Sequence, residues 1–114
     1  MRLNYVMKFV ADMDKAVAFY RDTLGLTLSF QSPGWSEFVT GETTLALHPA
    51  SDKNPAGATE LGFSVDNLER FHTEMADKGV VFTRPPTDLH GTMLATLLDS
   101  EGAEVSVSGR AQDG

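Results

Sequence analysis

Glu60, His48 and Tyr5 are the residues whose types and settings suit acid–base chemistry or ligand recognition. Glu60 opens a stretch, Glu60 to Val65, that alternates like a strand. Leu61, Phe63 and Val65 fall on one face, and Glu60, Gly62 and Ser64 on the other. A carboxylate heading that second row is costly to bury without a partner. It suits a base, or a group that recognises a cationic or hydrogen-bonding ligand; a solvated strand start is the plainer alternative. His48 stands two residues beyond Ala46, so a strand puts both on one face. With Glu60 it would form an acid/base couple or two ligands of a metal ion, and beside Pro49 it also reads as polar surface. Tyr5 shares a face with Met7 and Phe9 and offers a phenolic hydroxyl to a ligand.

Aromatic residues extend the set. Trp35 follows the Pro33-Gly34 turn, with Phe38 on the same expected strand and Phe30 on the one before. Such rings line a groove for planar or cationic ligands, or fill an ordinary core. Trp35 is the one expected at the rim. His90 falls in an expected loop, Arg84 to Gly91, where function often resides. His72 reads as helix flank, and Lys8, between Val6 and Val10, as a side chain running along a helix to water.

The elements that must position these residues are short. A strand over Leu3 to Val10 is followed by Asp12, a helix N-cap. Met13, Val17, Tyr20 and Leu24 then recur on one helical face, and Gly25 stops the helix. Strands over Leu26 to Phe30, Trp35 to Thr40 and Thr43 to His48 complete the first half. After a polar linker, 51–58, the order repeats. Glu60 to Val65 is a strand, Asn67 a cap, and Leu68, Phe71 and Met75 a helix face ending at Gly79. Val80 to Thr83, Thr92 to Leu98 and Glu104 to Ser108 are strands, the last two joined by the turn Asp99 to Gly102. A shift of 55 residues superposes Val10 on Val65, Asp12 on Asn67, Met13 on Leu68 and Tyr5 on Glu60. The chain therefore reads as two modules, 1–50 and 59–108, with a frayed tail, 109–114. Two such units would pair into a curved eight-stranded sheet around a cleft.

Composition sets the outer bounds. The 114 residues hold no cysteine, which excludes disulfides and thiolate metal sites. A formal charge of −7 and a pI near 4.7 argue against nucleic acid or an anionic membrane as partner. The 41% of hydrophobic residues supports a packed core. The N-terminus lacks the unbroken apolar run of a signal peptide, so the expected location is cytoplasmic.

The stretches Val10-Ala11-Asp12-Met13-Asp14, Phe19-Tyr20-Arg21-Asp22-Thr23-Leu24-Gly25-Leu26, Thr44 to His48, Phe63 to Leu68 and Asp99 to Gly102 together resemble the vicinal oxygen chelate superfamily. That superfamily includes glyoxalases, extradiol dioxygenases, fosfomycin-resistance enzymes and bleomycin-binding proteins. The resemblance covers nearly all of 3–108 and implies an α+β fold. In that fold, two βαβββ modules form a cup-shaped eight-stranded mixed sheet, commonly in a homodimer. It places the family's metal-ligand positions at Tyr5, Ala46, Glu60 and Ser106, of which only Glu60 is a usual ligand. The resemblance therefore implies a single glyoxalase-like domain without a metal cofactor, binding a small molecule and sequestering a toxic compound such as an antibiotic. Tyr5, Trp35, Phe38, Glu60, His90 and Ser106 would meet that ligand. The alternative is a glyoxalase-like lyase or isomerase with Glu60 as base and Tyr5 or His48 assisting. It would act with or without a divalent Ni, Zn, Fe or Mn held by Glu60 and His48.

Overall fold

Alternating apolar residues give the first strand, β1 (Arg2–Val10), in the computed structural model of the chain, which describes residues 1–89 and 91–110. The described residues are α+β, with eight strands in mixed sheet, two α-helices and one π-helical turn. Its contacts divide it into two compact units: Asn4–Thr59, and Met1–Leu3 with the chain from Glu60 on.

In the N-terminal unit, helix α1 (Met13–Ala18) starts where Asp12 accepts a hydrogen bond from the Lys15 amide. The expected helix to Leu24 does not stay α-helical. Residues Phe19–Thr23 form a π-helical turn, with the Leu24 amide donating to the Phe19 carbonyl five residues back. The wider turn breaks the apolar stripe, so Tyr20 still packs on the core while Leu24 is 55% exposed. Strands β2 (Thr27–Phe30), β3 (Ser36–Val39) and β4 (Thr44–Pro49) follow, in the spatial order β2-β3-β4-β1, with β4 parallel to β1 and antiparallel to β3. The core under α1 is Val17, Phe38 and Leu47, all buried, with Val10, Met13, Tyr20, Leu28 and Leu45 around them. Burying side chains of this size stabilises the unit by roughly 1.5–3 kcal/mol each. Lys8, on the helix-side row of β1, does not run out along the helix; its ammonium donates to the Gly57 carbonyl at 2.9 Å.

The C-terminal unit repeats the plan. Strand β5 (Thr59–Asn67) leads into helix α2 (Leu68–Asp77), capped by Asn67, whose side chain accepts from the Arg70 amide. Strands β6 (Phe82–Leu89), β7 (Thr92–Leu98) and β8 (Glu104–Arg110) give the order β5-β8-β7-β6, with β8 parallel to β5. Leu68, Ala95 and Val107 form the core, with Phe63, Val65, Phe71 and Phe82 against them.

Two expectations are corrected. Arg84 to Gly91 is not a loop, because β6 runs through Pro85-Pro86 to Leu89. The prolines fit because β6 ends the strand order and its pairing with β7 is irregular between Arg84 and Thr87, so missing amide donors leave no ladder bond broken. The strand expected to end at Ser108 continues to Arg110, with Gly109 paired to Val65 and Met93, so Gly109 and Arg110 are not frayed tail. The remaining tail, 111–114, lies outside the described residues.

Candidate functional site

Each unit has one sheet face under its helix and one row of side chains turned the other way, and the candidate residues concentrate in those second rows. In the N-terminal unit the parallel register of β1 and β4 pairs Met7 with Ala46 and Phe9 with His48, so Tyr5, Met7 and Phe9 share a face with Ala46 and His48. The antiparallel pairing of Glu37 with Ala46 brings Glu37 and Trp35 onto the same face.

Trp35 is half-buried at the centre of this group. Its ring stands 5.9 Å from that of Tyr5 at 83°, and 6.2 Å from that of His48 at 84°. His48 in turn meets Phe9 edge-on at 5.5 Å. The indole Nε1–H donates to Glu37 Oε2 at 2.8 Å, which fixes the rotation of the ring. His48 Nδ1 lies 2.8 Å from the Pro49 carbonyl oxygen. A carbonyl only accepts, so Nδ1 carries the proton and Nε2 is the nitrogen turned to other chemistry. Three of the expected residues, Tyr5, Trp35 and His48, are thus brought together.

Phe38 is not with them. It is fully buried in the helix-side core, with its ring 5.8 Å from Tyr20. Strand alternation explains the correction: Ser36 and Phe38 point under α1, and Trp35, Glu37 and Val39 point away. Phe30, opposite Glu37 in register, is 53% exposed. Glu37 is the site residue that sequence reasoning missed. Period-two alternation from Trp35 was the signal that would have found it.

In the C-terminal unit, Glu60 is half-buried at the start of β5, and the hydroxyl of buried Ser106 donates to its Oε2 at 2.5 Å. This bond holds one carboxylate oxygen and leaves Oε1 for a ligand or a proton. His90 lies outside the described residues. His72 stacks edge-on against Phe82 at 4.5 Å, as a helix-flank residue does.

The donor chemistry at the four family positions does not suit a divalent ion. Ala46 offers no donor atom, and the Ser106 hydroxyl is committed to Glu60. Among the described residues, no three His, Asp or Glu side chains gather as a metal-binding group.

A family model for the Glyoxalase/Bleomycin resistance protein/Dioxygenase superfamily matches residues 2–107, and the chain belongs to that superfamily. Solved structures agree in fold. The chain is similar to a structure described as the NAD-dependent benzaldehyde dehydrogenase of Legionella pneumophila, at 22% identity and a TM-score of 0.76, covering 94% of this chain and 98% of that one. It is similar to a variant of the Streptomyces coelicolor methylmalonyl-CoA epimerase in complex with 2-nitronate-propionyl-CoA, at 20% identity and a TM-score of 0.76, covering 97% and 95%. A superfamily member from Vibrio splendidus 12B01 aligns at 12% identity with a TM-score of 0.65, covering 92% and 95%. At these identities the likeness is one of fold. No curated protein sequence matches the chain at a significant level. No helix among the described residues is long and apolar enough to cross a membrane.

Proposed function

We propose that this superfamily member binds a small molecule without a metal and sequesters it rather than transforming it. The observation that carries the reading is Trp35, held edge-on by two neighbouring rings and pinned by Glu37, on a sheet face that its helix does not cover. A ring already fixed in place loses little entropy on meeting a ligand, which is the condition for useful affinity. The donor set at the family's metal positions supports the metal-independent part. A cytoplasmic homodimer belongs to the same reading.

Native mass spectrometry of the purified protein tests it. The expected spectrum shows no stoichiometric ion, a homodimer, and a retained small-molecule adduct that disappears in Trp35→Ala. A stoichiometric Ni²⁺, Zn²⁺, Fe²⁺ or Mn²⁺ lost in Glu60→Gln or His48→Ala would overturn it.

The Ser106–Glu60 contact favours one second reading: a lyase or isomerase in which Glu60 takes a proton beside a carbonyl. A half-buried carboxylate with one oxygen fixed by a hydroxyl has its other oxygen aimed, as general base catalysis requires. The structural likeness to an epimerase, an enzyme that removes and returns a proton, makes methylmalonyl-CoA a suitable probe. Under the leading reading the protein leaves its deuterium exchange in D₂O, followed by NMR, at the uncatalysed rate. Exchange that the protein accelerates and Glu60→Gln abolishes, with the fold intact, would establish the second reading instead.

A further inference from the structure

The N-terminal unit's aromatic face has a charge character that the sequence pattern does not announce. Strands β2, β3 and β4 contain no lysine or arginine. In β1, Arg2 and Lys8 alternate with Tyr5, Met7 and Phe9 and so belong to the opposite row, where the Lys8 ammonium is bound to the Gly57 carbonyl. Among β1 to β4, Glu37 is the carboxylate that alternation puts on this face, and no Lys or Arg of those strands joins it there. It is not an isolated surface charge, because Oε2 accepts from the indole N–H at 2.8 Å and so ties the carboxylate to the ring. Trp35 and Tyr5 meet edge to face at 83° with centroids 5.9 Å apart, a contact that takes up one face of only one of the two rings.

A positive charge is attracted both to aromatic faces, through their quadrupoles, and to a carboxylate. A neutral ligand of the same shape gains only the contact area. We propose that Trp35, Tyr5 and Glu37 form a recognition site for an organic cation of the quaternary-ammonium type. The inference rests on the small-molecule-binding reading and adds to it the charge of the ligand. Glu37 is the specificity-determining residue and the rings supply contact.

The chain contains one tryptophan, so ¹⁵N-labelled protein gives one indole N–H signal, and that proton sits in the site itself. The test titrates this signal with choline and with 3,3-dimethylbutan-1-ol, which replaces the ammonium nitrogen by carbon and keeps the shape. Choline is expected to shift the signal saturably, with a dissociation constant lower than the alcohol's by about tenfold or more. Glu37→Gln keeps an oxygen to accept from the indole but removes the charge, and is expected to bring the two probes to within about twofold of each other. Equal binding of both probes to the unaltered protein, or tighter binding of the alcohol, overturns the cation inference and leaves small-molecule binding standing. A choline preference that persists in Glu37→Gln overturns the assignment of Glu37 and with it the proposal. If neither probe moves the signal the proposal also fails, while the adduct in native mass spectrometry independently decides whether a ligand binds at all.

Discussion

Phe38→Ala is expected to lower the free energy of unfolding by about 3–5 kcal/mol, the cost of emptying an aromatic-sized space in a packed core. The side chain is 0% exposed, lies between Val17 and Leu47, and meets the tilted ring of Tyr20. Domains of this size are stable by roughly 5–15 kcal/mol, so the variant keeps half of its stability or less at the lower end of that range. Urea unfolding measures the loss. The same residue also separates core from site. Phe38→Leu keeps most of the volume, costs about 1.5 kcal/mol or less, and is expected to leave the choline titration of the Trp35 indole unchanged. A leucine variant that unfolds normally but loses its ligand would mean that Phe38 belongs to the binding face after all.

Gly109→Ala carries the second large effect, about 1–3 kcal/mol of destabilisation, from overpacking rather than from a cavity. A methyl carbon there would stand 2.5 Å from the Val65 carbonyl oxygen and 3.1 Å from its Cγ2. The oxygen is backbone in the partner strand of a parallel ladder, so it cannot rotate aside as a side-chain end would. Relief requires β5 and β8 to move apart next to the register shift that already follows Val65. Thermal unfolding of the alanine variant reads the effect directly, and a melting temperature equal to that of the parent would contradict the close approach.

These two residues also show where the sequence was legible and where it was not. Asp12 and Asn67 announced both helix starts because capping is local chemistry, and the structure shows both side chains accepting the expected amide. The 55-residue repeat was visible for the same reason, since caps and apolar spacing are written in consecutive residues. Phe38 was legible as apolar but not by face, because an aromatic residue suits a groove as well as a core. Only the register against β4 decided which side it took. Gly109 read as the start of a tail, since glycine signals a loop when its reason is a neighbouring strand's carbonyl. Pro85-Pro86 misled in the same way, because the exemption of an edge strand is a property of the sheet and not of the dipeptide. The π-helical turn at Phe19–Thr23 lies beyond any 3.6-residue pattern. In the candidate site, Tyr5, Trp35 and His48 are legible by type, whereas Glu37 is one of sixteen acidic residues and only its hydrogen bond to the indole distinguishes it.

The two hydrophobic clusters have no residue in common: Val17, Phe38 and Leu47 in one, Leu68, Ala95 and Val107 in the other. Each repeat thus has a packed cluster of its own, built from its own helix and strands. A duplicated unit of this kind is free to specialise by halves. One copy carries rings and a charge, the other a serine-bound carboxylate, and these residues belong to neither cluster.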